Sequence, residues 1–290
     1  MRIELRKIVR AGLWVVPFVL TQIGGSFAGQ ATEQAELRTG ISLSPSVVML
    51  SGQPGQAHRQ TLRLTNHTSR ELAFKLEAQD VVAEEGRRTF LAAGDRPGSI
   101  AATSVFSSRE IVIAPGAVGT VDVTVTLPRG SAIRGIAAIF RGQTVVGNER
   151  GVAMTASLGA LMTFTLSTDT RIEGATPEVS EQTDTSNLGL AEWVTNVGTE
   201  PVVAGGAAAL LNASGTLVGK VPVEPQRLMP GERLAFRAEY PDLLAPGRYR
   251  AIFSLEYDDH AHKVLTRTVE FAVAPARDDQ RDADRRAGVR

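Results

Sequence analysis

The 290-residue chain contains no cysteine. That excludes disulfides, a lipid-modified N-terminal cysteine, thiolate metal ligands and a thiol nucleophile, so an oxidising compartment would be tolerated but not exploited. Aromatic residues are scarce at 5%, too few for stacking platforms under single-stranded nucleic acid or sugar rings. An excess of one charge is missing too. The 31 basic side chains are matched by 31 acidic ones, so no net field draws nucleic acid or an acidic membrane. No G-x-S-x-G, H-E-x-x-H or glycine-rich phosphate loop occurs, and an enzyme is not expected. Beyond one N-terminal stretch there is no long hydrophobic run.

What is present begins with that stretch. "MRIELRKIVR" is basic, "AGLWVVPFVLTQIGG" is apolar, and "SFA" places small residues at Ser26 and Ala28. This reads as a cleaved secretory signal over residues 1–28. The apolar run falls short of a membrane span and contains Pro17, so no anchor is expected after cleavage. A secreted or periplasmic protein, mildly acidic once processed, is the expectation. The tail "ARDDQRDADRRAGVR" (276–290) mixes Arg and Asp with almost no apolar content and is expected to be disordered.

Between these ends the chain alternates. "QTLRLTN" sets Leu62 and Leu64 against polar neighbours, "LAFKLEAQDVV" carries Leu72, Phe74 and Leu76, and "TVDVTVTLP" carries Val121, Val123, Val125 and Leu127. Pro, Gly and Asn turns separate such runs, with no convincing helical period. A charged, glycine-containing stretch, "AEEGRRTFLAAGDRPGS", reads as a loop. The second half repeats the style. In "YRAIFSLEY", Tyr249, Ala251, Phe253, Leu255 and Tyr257 share a face, and Trp193 in "LAEWVTN" reads as a core residue. The phrases "IAPGAVGTVDVTV", "LMPGERLAFRAEY" and "LAPGRYRAIFSLEY" each launch an alternating strand from a Pro-Gly turn. The pattern predicts an all-β protein of two tandem immunoglobulin-like antiparallel β-sandwiches, over 36–169 and 170–275.

One segment stands apart. "VAMTASLGALMTFTLS" (152–167) puts Val152, Met154, Ala156, Leu158, Ala160, Met162, Phe164 and Leu166 on one parity. The other parity is small or hydroxylated except for Leu161, suited to solvent rather than a second buried face. Such alternation is a strand signal, and sixteen residues are long for a sandwich. Either it closes the sandwich core, or it also serves a partner. Gly159 could mark a bulge that splits it.

The layout resembles the periplasmic pilus-chaperone (PapD-like) superfamily. The likeness lies in "ISLSPSVVMLSGQPGQAHRQTLRLTNHTSRELAFKLEAQD", in "IVIAPGAVGTVDVTVTLP" and in "GIAAIFRGQT" followed by the long alternating strand. The second half resembles Ig-like domains of bacterial surface proteins, "LAPGRYRAIFSLEYD" being the nearest phrase. The resemblance implies a chaperone that offers its final first-domain strand to pilus or surface subunits by β-augmentation. The side chains so implied are Met154, Ala156, Leu158, Ala160 and Met162. That family also anchors its client's terminal carboxylate with an Arg in the first strand and a Lys in the long one. Here the first position falls near Val47, and Val152–Ser167 contains no cation. The alternative is an extracellular structural or adhesive module that binds cell-wall or surface partners through its loops. "YDDHAH" offers Asp258, Asp259, His260 and His262, a conceivable metal cluster that reads better as a polar hairpin tip. No cofactor, metal or nucleic-acid partner is expected. His58 and His67, beside turns, read as solvated.

Overall fold

The computed structural model describes residues 40–143, 146–147, 153–154, 157–180, 187–258 and 262–274, with backbone alone at 146–147 and 153–154. The expected signal segment and charged tail lie outside these residues. Among them no helix is long and apolar enough to cross a membrane.

The first sandwich contains β1 (Ile41–Ser44), β2 (Val47–Ser51), β3 (Ala57–Asn66), β4 (Leu72–Glu84), β5 (Arg87–Ala92) and β6 (Val105–Phe106). It continues through β7 (Glu110–Ile113), β8 (Val118–Thr126), β9 (Gly135–Gly142), β10 (Val146–Gly147), β11 (Ala153–Met154) and β12 (Ser157–Thr165). One sheet runs β1-β3-β8-β6. The facing sheet runs β2-β12-β9-β4, with β5 and β7 both on the far side of β4. The second sandwich contains β13 (Ile172–Gly174), β14 (Glu178–Val179), β15 (Leu188–Asn196), β16 (Val202–Asn212), β17 (Leu217–Leu228), β18 (Arg233–Tyr240), β19 (Gly247–Tyr257) and β20 (Lys263–Val273). There β15 lies between β18 and the pair β13 and β14, and the facing sheet runs β17-β16-β19-β20. The protein is all-β, two immunoglobulin-like sandwiches, as its alternation predicts. Pairing is antiparallel except between β12 and β2. Pro45, which has no N–H for a ladder, separates β1 from β2 and lets the chain change sheets there.

Each core is the alternation turned inward. Leu62, Leu64, Leu72, Phe74, Leu76, Val121, Val123, Val125, Phe140 and Phe164 form the first. Leu188, Leu190, Leu210, Val223, Phe236, Phe253 and Leu255 are among those of the second. An asparagine at the end of a strand fixes the same corner in both. Asn66 donates to the carbonyls of Arg70 (2.7 Å) and Ile113 (3.0 Å), and Thr68 N donates to its Oδ1 (2.9 Å). Asn196 donates to those of Glu200 (2.8 Å) and Leu228 (3.1 Å), and Gly198 N donates to its Oδ1 (3.0 Å). Each Asn carbonyl then accepts the N–H of a Pro-Gly turn, from Gly116 (2.9 Å) and Gly231 (2.8 Å), both at positive φ. Buried main-chain groups need such partners, so the repeated "TN" and "PG" phrases encode one repeated corner.

Four expectations change. The stretch taken as a charged loop contains β5, which pairs with β4 from Gln79↔Ala92 to Glu84↔Arg87. Charge hid it because Arg87 and Thr89 interrupt the apolar signal. Trp193 is not in the core. In β15 the residues facing inward are Leu188, Leu190, Glu192, Val194 and Asn196, while Trp193 points outward beneath the Arg233 guanidinium, 4.9 Å from its ring centre. His58 is not a solvated residue, since it is half-buried edge-on to Phe164 with ring centres 6.0 Å apart. Gly159 is no bulge, because β12 pairs with β9 without a register shift.

Parity thus sends a carboxylate inward. Glu192 is 0% exposed and neither of its carboxylate oxygens has a hydrogen-bond partner among the described residues. Burial pushes its pKa from the ordinary 4.5 to about 7, only partly opposed by the Arg267 guanidinium. An acid with a raised folded pKa weakens the fold where it must ionise. The contribution of Glu192 is therefore least unfavourable below pH 4.5 and becomes destabilising as pH climbs to about 7. Glu192→Gln should remove that slope and be more stable than wild type at pH 8 by on the order of 2 kcal/mol. Urea unfolding at pH 4.5, 6 and 8, reported as the difference between the two proteins, measures it.

Candidate functional site: the β12 edge and the cleft beneath it

Main-chain direction along β12 follows from two hydrogen bonds. Leu161 N donates to Ser46 O at the head of β2 (2.9 Å), whereas Phe164 N donates to Arg134 O beside β9 (2.9 Å). Successive residues of a strand point their polar groups to opposite sides, so odd residues face β2 and even residues face β9. The parallel ladder to β2 covers only Leu161–Thr165. The ladder to β9 extends further, from Ser157 to Thr163. Beyond the end of β2, the N–H and C=O of Gly159 and Ser157 point sideways and meet no strand among the described residues. Among the described residues, β12 is an interior strand over Leu161–Thr165 and an open edge over residues 157–160.

The five candidate side chains fall in different places. Ala160 and Met162 are wholly buried in the first core, and Leu158 is half-buried against it. Met154 lies in β11, paired with Val146, and its side chain, like Ala156, lies outside the described residues. At Ala160 and Met162 the side chains fill the core and the main chain pairs with β9, so what β12 can offer another chain is the main chain of Ser157 and Gly159.

The odd face is left to solvent only at Ser157 and Gly159, which corrects the sequence expectation for the rest. Thr163 is buried and Leu161 half-buried, because the second sandwich sits on this sheet face. Met229, in the turn between β17 and β18, packs with Val81 of β4 and Ala137 of β9, flanked by Ile139 and Leu161. Two buried carboxylates fix the seating. Glu232 accepts from Arg88 Nη2 of β5 (2.9 Å) and from Met229 N (2.8 Å). Glu200, 0% exposed, accepts from Arg134 Nε (3.2 Å), Leu166 N (3.0 Å) and Ser167 Oγ (2.8 Å). Arg233 N also donates to Gly86 O (2.8 Å). Nothing in "GTEPVV" or "PGERL" marks these glutamates as buried. Both follow turns, where a carboxylate is normally solvated.

Between the sandwiches, beneath β2 and β12, is an open cleft of about 420 Å³. Met49 (65% exposed), Ser51, Thr163, Thr165, Val203 and Arg227 are among its lining residues. Arg227 donates to Thr163 Oγ1 and makes no ion pair among the described residues. Burial, together with nearby Arg88, pushes its guanidinium below the ordinary value, the sign of a cation short of compensating charge. Asp258 also lines the cleft but is engaged by Lys263 and Thr170, which leaves the half-buried Arg227 guanidinium, bound to Thr163 Oγ1, able to accept an anion such as a carboxylate. Neither β2 nor β12 carries a cation of its own. The second sandwich brings one, from "EPQRL", where nothing local signals it.

The hairpin tip does structural work. Asp258 accepts from Thr170 Oγ1 and pairs with Lys263 Nζ (3.3 Å), and His262 N donates to Asp258 O (2.8 Å). Asp259 and His260 lie outside the described residues. Among those described, no three His, Asp or Glu side chains converge.

No protein-family model matches the chain, and no curated protein matches it in sequence. Solved structures do resemble it. The class 5 fimbriae chaperone CfaA is 10% identical with a TM-score of 0.41, over 82% of this chain and 100% of that one. The CupB2 chaperone of Pseudomonas aeruginosa is 11% identical at 0.35, over 80% and 100%. A chain of the CsuC–CsuE chaperone–tip subunit complex of Acinetobacter baumannii is 9% identical at 0.40, over 80% and 97%. Likeness this remote assigns no residue of the present chain a role.

Breaking a buried ion pair strands the remaining charge, at a cost of roughly 3 kcal/mol or more. Glu200→Ala should lower unfolding stability by about that amount. Arg171→Ala, which removes an exposed pair with Asp169, should cost well under about 1 kcal/mol. Urea unfolding followed by tryptophan fluorescence compares them.

Proposed function

We propose that this protein is a non-enzymatic, secreted or periplasmic chaperone-like protein that binds subunits of pilus or surface structures by adding a strand to β12. The observation that carries the reading is the open edge at Ser157 and Gly159, directly beyond the end of β2. An extended segment laid there continues the line of β2 and takes the two unpaired sets of main-chain groups. Main-chain hydrogen bonds then supply affinity. The sequence resemblance supports the same role.

The candidate side chains enter unequally. Leu158, half-buried at the open stretch, flanks the incoming strand, and Met154 and Ala156 keep the role that the resemblance implies for them. Ala160 and Met162 hold β12 in register by filling the core. Farther along, the cleft supplies Arg227 as an anchor for a carboxylate of the bound chain. It takes the part of the cations that the family places on strands corresponding to β2 and β12. Loop-mediated adhesion has no comparable feature in its favour.

Ser157→Pro tests the reading cleanly, because its N–H faces the open side and its loss leaves the β9 ladder intact. Co-expressed with a pilin-like subunit encoded beside its gene, this variant should fold and capture the subunit at least about tenfold less well, the scale of one lost main-chain contact. Arg227→Gln should weaken capture to a similar degree and flatten its dependence on salt. Undiminished capture by a folded Ser157→Pro protein would refute strand addition at this edge.

A further inference from the structure

The outer face of the sheet containing β12 holds a groove of about 420 Å³ with an apolar floor of Ala137 and Ile139 of β9, Gly159 and Leu161 of β12 and Phe90 of β5, rimmed by Arg88 and Arg141. Phe90 is 52% exposed there. The groove runs on from the apolar seam between the sandwiches, since Ala137 belongs to that seam and Ile139 and Leu161 pack against it. The same face therefore has an occupied part and an open part.

The occupied part shows what fits. A Cβ added to Gly135 would lie 2.6 Å from Met229 Cε, so the missing side chain is what lets the methionine sit down on the sheet. Gly159 is a second glycine on that face, one strand over, opposite Ile139. A Cβ there would meet nothing closer than Ala138 O at 3.9 Å, so the space above it is open. Its main-chain groups are the same ones that face the free edge. A residue on an added strand directly opposite Gly159 points to the same face of the sheet. Its side chain can lean across the glycine onto Ile139 and Leu161, as aromatic residues do beside glycines in neighbouring strands.

We infer that Gly159 is a seat for one large apolar side chain, aromatic or long and unbranched, carried by the partner strand at the position in register with it. This deepens the strand-addition reading and rests on it. Main-chain pairing gives the partner its place, and the seat selects its register and sequence. A strand with a small residue at that position leaves the groove unfilled, and one with a cation brings it against Arg88 and Arg141.

The test uses the whole protein and synthetic eleven-residue peptides of alternating Thr and Val, carrying Phe or Ala at the central position. Amide exchange at Ser157 and Gly159, read by NMR, reports strand addition, while fluorescence anisotropy reports affinity. Both peptides should protect the two amides, and the Phe peptide should bind at least about tenfold tighter, as expected for one well-seated aromatic side chain. In Gly159→Leu, which fills the seat from within, that ratio should collapse toward one. Ile139→Thr, which lowers the groove wall, should reduce it by a second route if the leucine variant does not fold. Equal affinities for the two peptides with both amides protected overturn the seat and leave strand addition standing. Absence of protection with either peptide overturns both.

Discussion

The structure depends on two glutamates that the second sandwich buries against the first. Glu200 gathers Arg134, Leu166 N and Ser167, and Glu232 gathers Arg88 and its own turn at Met229 N. A buried carboxylate stays ionised at little cost only when its oxygens are satisfied. The geometry that satisfies these two comes from both sandwiches at once. They act less as a source of net stability than as a positional constraint, because one arrangement of the two bodies pairs both carboxylates. Met229 over Gly135 completes the constraint with an apolar contact.

From that seating the character of β12 follows. Its C-terminal half is held on all sides: β9 and β2 flank it, the first core takes Met162 and Phe164, and the second sandwich covers Leu161 and Thr163. Its N-terminal half keeps β9 and the core but loses both β2 and the cover. The transition from interior strand to open edge occurs within a few residues, between Leu161 and Gly159. The pinned half keeps the open half straight and in register, which an isolated edge strand would not manage. The groove and the Arg227 cleft lie on either side of this transition.

Periodicity exposed most of the fold because it records burial directly. Leu62, Leu64, Phe74, Val123 and Phe253 occupy the faces their spacing assigns, and the paired "TN" and "PG" phrases mark matching corners at Asn66 and Asn196. It misled where a residue type ran against its position. Trp193 was assigned inward for being large and apolar, yet parity gives the inward place to Glu192. The β5 strand carries no clean alternation because it opens on Arg87, Arg88 and Thr89 and exposes Phe90. The odd face of β12 was assigned to solvent because threonine suits solvent, although Thr163 is covered from the other sandwich.

The sequence by itself determined that the chain is all-β, that its cores are built from alternating runs, and that 152–167 contains a strand with one apolar face. These are local properties, fixed by which side of a strand each residue takes. Only the tertiary structure decided how far β2 follows β12, where Arg227 comes to rest, and which glycines lie under a neighbour and which lie open. Each depends on groups far apart in the chain, Arg88 with Glu232 and Arg134 with Glu200 among them. Alternation states which way a side chain points. It does not state what arrives to meet it.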